Sequence, residues 1–179
     1  REFKSLRINL EGTGPLYLST TRRGIPVEGL QEEISRDMNV QHRFYDLKGN
    51  PHGSNTFKQG KLYVVQTSVK TPRRLGNLYF ADLLPGGFEI ENRRIATRAM
   101  DIPFLTRRRA YLNNTEYIDV RDDRVIMFFN SRSRHTTYSF RYLVRAVTRG
   151  KFQHPPVSGG CMYDPDVQVL KFNDPIIIK

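Results

Sequence analysis

The sequence predicts an all-β chain, an antiparallel β-sandwich with at most a short helix. Three observations carry this. Short runs of alternating apolar and polar residues recur along the chain. Clusters of Gly, Pro, Asn and Asp separate them. And 11 Phe and 9 Tyr among 179 residues supply the bulk for a packed core, which a disordered chain lacks. The length fits one domain, or one domain with an appended strand or two.

The elements follow in order. Residues 4–10 (KSLRINL) put Leu6, Ile8 and Leu10 on one face, the period of a half-buried strand. We read residues 1–13 as an N-terminal strand of an adjoining domain, and residues 14–179 as the sandwich domain itself. Residues 16–21 (LYLSTT) read as a strand, and residues 40–47 (VQHRFYDL) as the next. Residues 48–58 form a loop, because Gly49, Asn50, Pro51 and Gly53 favour turns. In residues 61–70, Tyr63, Val65, Thr67 and Val69 share a face. Residues 78–84 make another strand, closed by Pro85-Gly86-Gly87, and Phe88–Ile90 resumes extended chain.

Residues 91–114 are rich in arginine, with Ile102, Phe104 and Leu105 as apolar anchors. Pro103 excludes one long helix, since it lacks a backbone donor, so a loop with a short helical turn is expected. Residues 117–129 (YIDVRDDRVIMFF) read as a hairpin. With Asp122-Asp123 as its loop, Val120 faces Val125 and Ile118 faces Met127; a slightly longer loop satisfies the sequence equally. In residues 137–147, Phe140, Tyr142, Val144 and Ala146 point inward, and Leu143 breaks the alternation. Gly150 ends that strand. Pro155-Pro156, Gly159-Gly160 and Pro165 suggest a loop-like tail, with short strands over 167–172 and 176–178.

Catalytic chemistry finds little support. Cys161 and His154 are the one thiol–imidazole combination to weigh, but two prolines and two glycines intervene and no helix start lowers the thiol pKa. His42, beside Arg43 in a strand, reads as a surface or rim residue. Asp119, Asp122 and Asp123 are interleaved with Arg121 and Arg124, which is the pattern of a charged hairpin tip rather than a calcium loop. The glycine pairs match no phosphate or dinucleotide fingerprint. No catalytic residue, metal ligand or cofactor is therefore assigned. One cysteine excludes an internal disulfide and a cysteine-based zinc site. No run of eighteen apolar residues is present.

Lys+Arg 29 against Asp+Glu 18 leaves a formal charge of +11. This charge suits an anionic surface or an acidic partner. The arginines also alternate outward along strands and build no basic helix or stacking signature, so nucleic acid is not the expected partner. By charge alone, Arg93, Arg94, Arg98, Arg107, Arg108 and Arg109 are the candidate contact surface.

Four segments in fixed order say more than any single motif: KQGKLYVV (58–65), ADLLPGGFEIEN (81–92), YIDVRDDRVIMFF (117–129) and FRYLVRAVTRGKF (140–152). Pro155-Pro156 and Met162-Tyr163-Asp164-Pro165 follow them. Together they resemble the C-terminal region of bacterial alpha-2-macroglobulins, over roughly residues 14–167. The resemblance implies the last macroglobulin-like domain, a β-sandwich comparable with the receptor-binding domain of the animal proteins. It implies a longer periplasmic parent, tethered in some members to the inner membrane by a lipid, which entraps proteases after cleavage of a bait region. The implied partners are the remaining domains of that parent and the trapped proteases. The family's Cys-x-Glu-Gln thioester motif is absent here, because Cys161 precedes Met162-Tyr163. Gly159-Gly160-Cys161 and the strong positive charge also depart from the family's expected pattern. The expected function is that of a non-catalytic module of a protease-trapping inhibitor. The alternative is a stand-alone basic binding module for nucleic acid or an anionic envelope component.

Overall fold

The computed structural model describes residues 8–9, 11–21, 32–91, 102–106, 115–134 and 137–179. The chain divides into two compact units, Arg1–Glu32 and Glu33–Lys179. In the first unit, residues 11–21 are exposed and carry no strand. The strand expected over 16–21 does not form: Leu16, Tyr17 and Leu18 all face solvent. Alternation alone is insufficient, because a strand needs a neighbour to bond its backbone groups. The strand expected over 4–10 falls almost wholly outside the described residues.

The second unit carries strands β1 (Ile34–Arg36), β2 (Asn39–Tyr45), β3 (Thr56–Phe57), β4 (Leu62–Lys70), β5 (Leu75–Leu83) and β6 (Phe88–Ile90). The helical turn α1 (Pro103–Thr106) follows, then β7 (Thr115–Val120), β8 (Arg124–Ser131) and β9 (Thr137–Ala146). The last strands are β10 (Gly150–Phe152), β11 (Val157–Cys161), β12 (Gln168–Lys171) and β13 (Ile176–Ile178). One sheet runs β1-β12-β11-β5-β8-β7, and a second runs β2-β4-β9-β6. Both are antiparallel throughout. They face each other through aromatic side chains. Phe80 of β5 lies 5.0 Å from Phe140 of β9, and Phe129 of β8 lies 5.3 Å from the same ring. These inward residues are the apolar half of each strand's alternation, and their burial supplies the main driving force for joining the sheets.

A third, small sheet, β10-β13-β3, contains the single parallel pair among the described residues, β13 with β3. Its strands β3 and β10 were not expected from the sequence. Two or three residues are too few to establish a period, and Gly150 reads as a terminator when it in fact opens β10.

The expected hairpin forms on the two-residue loop. Val120 lies opposite Val125 and Ile118 opposite Met127, while the Arg121 N–H donates to the Arg124 carbonyl at 2.9 Å. The inward set of β4, Tyr63, Val65, Thr67 and Val69, is buried as expected. Leu143, the residue that breaks the alternation of β9, also has its reason. It points to the opposite face and is buried there with Val64, Ile102 and Leu105. A second small core thus lies under α1, so β9 is apolar on both faces at that point.

Gly159-Gly160, expected in a loop, instead lies inside β11, between β5 and β12. A Cβ on Gly159 would come within 2.7 Å of the Tyr79 carbonyl oxygen, and one on Gly160 within 2.7 Å of the Val167 carbonyl oxygen. The glycines are there because backbone approaches too closely for a side chain, which is the other reason a strand carries glycine.

Candidate functional site

Three titratable side chains converge between the two large sheets. His42 lies on β2 in the inward register of Val40 and Phe44, and its side chain is 4% exposed. Asp82 lies on β5 in the inward register of Leu78 and Phe80, and its side chain is 1% exposed. His154 sits in the crossing from β10 to β11, next to Pro155-Pro156, and is buried. His42 comes from the four-stranded sheet and Asp82 from the six-stranded one. Their contact, His42 Nε2 to Asp82 Oδ2 at 3.3 Å, therefore spans the sandwich.

The surroundings are polar on one side and aromatic on the other. The Thr67 hydroxyl, on β4 directly opposite His42, donates to Asp82 Oδ2 at 2.7 Å. Asp82 Oδ1 is buried and makes no close hydrogen bond, although the Tyr142 phenol stands within weak hydrogen-bonding reach of the carboxylate. The His154 ring meets the His42 ring edge-on at 4.9 Å and lies 5.8 Å from the Phe44 ring. One donor atom from each of His42, Asp82 and His154 lies within 4.8 Å of the others.

The electrostatics follow from burial and charge. Burial alone would raise the Asp82 carboxyl pKa. The His42 charge, then hydrogen bonding from His42, from Thr67 and, last, from the Tyr142 phenol, outweigh it and hold the pKa below the usual carboxylate value. Burial first, and the Asp82 charge second, push the Tyr142 phenol well above its usual value. Burial, reinforced by the His42 charge, pulls His154 down to about 4 against a partial counter-effect from Asp82. At neutral pH His154 is a neutral imidazole with a ring nitrogen available as an acceptor.

The cluster is not sealed. A cleft of about 330 Å³ reaches it, lined by His42 and His154 and by Asn55, Lys171, Asn173 and Asp174 among others.

The position expected for His42, at the surface or rim, is therefore corrected: its side chain points inward. The cause is register. Arg43 takes the opposite face of the strand, so its charge says nothing about its neighbour. Asp82 was not among the residues expected to matter, although the sequence holds a signal for it: an acidic residue on the apolar side of the alternation Leu78-x-Phe80-x-Asp82. His154 and Cys161 separate functionally, since Cys161 Sγ donates to the Gly76 carbonyl at 3.3 Å while His154 joins Asp82. The carboxylates of the hairpin tip pair locally, Asp119 with Arg121 at 2.8 Å and Asp123 with Arg124 at 2.6 Å. The six arginines of the expected contact surface, Arg93, Arg94, Arg98, Arg107, Arg108 and Arg109, lie outside the described residues.

Residues 38–166 match the family model described as the bacterial alpha-2-macroglobulin MG10 domain. The chain belongs to that family. It is 32% identical over 168 residues to an alpha-2-macroglobulin of Xylella fastidiosa, covering 90% of this chain and 10% of the relative. A Yersinia pestis alpha-2-macroglobulin homolog is 24% identical over 94% of this chain and 9% of its own length. The chain thus spans about one tenth of the curated relatives it matches. Trypsin-activated alpha-2-macroglobulin from Escherichia coli superposes with a TM-score of 0.76 at 22% identity, over 85% of this chain and 11% of that one. That likeness shows the macroglobulin-like β-sandwich fold. As a bacterial alpha-2-macroglobulin MG10 domain, the chain carries its polar cluster in the interior, where the two sheets meet.

Proposed function

We propose that the chain is a non-catalytic module near the C-terminus of a longer alpha-2-macroglobulin that traps proteases. The MG10 match across residues 38–166, which takes in most of the sandwich, is the observation that carries this reading. The module's work is mechanical. A two-layered sandwich with a continuous aromatic core presents rigid surfaces, and the other domains of the parent dock on them. Exposed apolar side chains mark where such docking is favourable. Met162 and Tyr163, in the connection between β11 and β12, are 54% and 78% exposed. On this reading the parent is periplasmic, with a lipid tether in the inner membrane as the expected anchor, and its partners are its own remaining domains and the proteases it captures.

The parent inhibitor tests the reading. Cleaving its bait region with a protease and following the particle by small-angle scattering should show a rearrangement that changes the protection of Met162 and Tyr163 against oxidative footprinting. Unchanged protection of both residues after cleavage would remove this domain from the trapping mechanism. The net charge of +11 favours a second reading, a basic module that binds an anionic polymer. Steep loss of polyanion affinity with rising salt would support it.

A further inference from the structure

We propose that His42, Asp82 and His154 form a binding site for a first-row divalent cation of the zinc class, held between the two sheets of the sandwich. The site is independent of the protease-trapping reading.

The donor set is two imidazole nitrogens and one carboxylate oxygen. This combination suits zinc and its neighbours and is poor for calcium or magnesium, which select oxygen. The spacing also fits. Two ligands at about 2.0–2.1 Å from one tetrahedral ion stand roughly 3.3–3.4 Å apart. His42 Nε2 and Asp82 Oδ2 are 3.3 Å apart. The third donor lies within 4.8 Å of both. A small swing of the His154 ring on its crossing segment closes the set.

The surroundings have the features of a built site. Asp82 is buried, and its Oδ1 makes no close hydrogen bond, the Tyr142 phenol giving the carboxylate only weak support. Leaving a buried carboxylate oxygen poorly matched is costly, and the His42 contact on Oδ2 leaves that cost in place. A cation beside the carboxylate removes it. The Thr67 hydroxyl, bonded to Asp82 Oδ2, orients the carboxylate as an outer partner does at metal sites. Phe44 stands against both imidazoles, 5.1 Å from the His42 ring and 5.8 Å from that of His154. The cleft of about 330 Å³ gives the ion a route in and room for a water as its fourth ligand. Cys161 is engaged with Gly76 and takes no part.

The three ligands come from β2, β5 and the β10–β11 crossing. A bound ion therefore ties both sheets and the crossing together, with its fourth position left open toward the cleft.

The test uses the 179-residue chain, stripped with chelator and titrated with Co²⁺ and then Zn²⁺. One equivalent of Co²⁺ should produce the intense visible absorption of a four-coordinate site, and Zn²⁺ should abolish it by displacement. Cys161→Ser should behave like the parent chain. His154→Gln should weaken binding by more than the roughly 100-fold that loss of an outer-shell partner costs. X-ray absorption of the zinc-loaded parent chain should show two imidazole ligands; this reading holds even if His154→Gln fails to fold. No saturable Co²⁺ signal, or a zinc spectrum with fewer than two imidazoles, would overturn the proposal. So would a folded His154→Gln that binds as the parent does, because the ion would then be adventitious and on the surface.

Discussion

The guanidinium of Arg141 lies 3.9 Å from the centre of the Phe104 ring and donates a hydrogen bond to the Phe104 carbonyl at 2.7 Å. Its Nε donates to Gln66 Oε1 at 2.6 Å. Arg141 stands on β9 on the same face as Leu143, so one strand both covers and fastens α1. Stacking, a backbone bond and a side-chain bond use three different properties of a planar fork. Arg141→Lys keeps the charge and loses that geometry, and we expect it to cost about 1–2 kcal/mol by urea denaturation. A change below a few tenths would mean that Leu143 and Leu105 hold α1 without the arginine.

Leu143 itself fills the small core shared with Val64, Ile102 and Leu105. Leu143→Ala should destabilise by about 2–5 kcal/mol, since removing a fully buried leucine loses its transfer energy and leaves a cavity. Hydrogen exchange should show faster opening of residues 102–106, with the aromatic core less affected.

Removing one partner of a buried pair strands the other. Asp82→Ala takes the carboxylate from His42 and the acceptor from Thr67. It should lower stability at neutral pH by about 3–5 kcal/mol, read from the urea midpoint at unchanged slope. Asp82→Leu replaces the charge with apolar bulk and should be milder if packing compensates.

The pH profile of the metal-free chain should carry His154's signature. Its folded pKa, about 4, lies below the ordinary 6.5. The folded state favours the neutral ring, so the unfolded chain binds the extra proton between these values. This contribution is complete above pH 6.5 and is lost as pH falls from 6.5 toward 4, by roughly 3 kcal/mol at most. Asp82 acts lower down. Its depressed pKa gives stability that is present above 3.8 and lost only as pH falls through its folded value. His42 and Tyr142 face the same centre, and Lys171 and Asp174 line the cleft beside it. A His154→Phe chain should be flatter between pH 6.5 and 4 in thermal melts; an unchanged slope there would assign it to another group.

Gly159→Ala should destabilise by about 1–3 kcal/mol, because the added methyl meets the Tyr79 carbonyl oxygen and β11 cannot retreat between its two neighbours. Melting temperature measures it directly. An unchanged value would show that β5 and β11 separate freely.

Much of the sandwich was legible because its longest strands repeat one chemistry at period two. β4 and β9 name their own inward faces, and the Asp122-Asp123 hairpin sets its register locally. The ordered segments around them also carried the family. Residues 16–21 have a strand's alternation yet form no strand, and no described residue pairs with them. The glycines of β11 read as a turn, because a sequence cannot show which backbone passes close to them. Leu143 looked like an error in the pattern until α1 covered it.

The polar cluster belongs wholly to the second kind of information. His42, Asp82 and His154 are far apart along the chain, and each alone is an ordinary polar residue. Alternation assigns a side chain to a face, which is a local property of one strand. Which residue it meets there depends on how two sheets are stacked and where the β10–β11 crossing runs. Those placements are set by the packing of the aromatic core, so the meeting of these three side chains was decided only in the folded molecule.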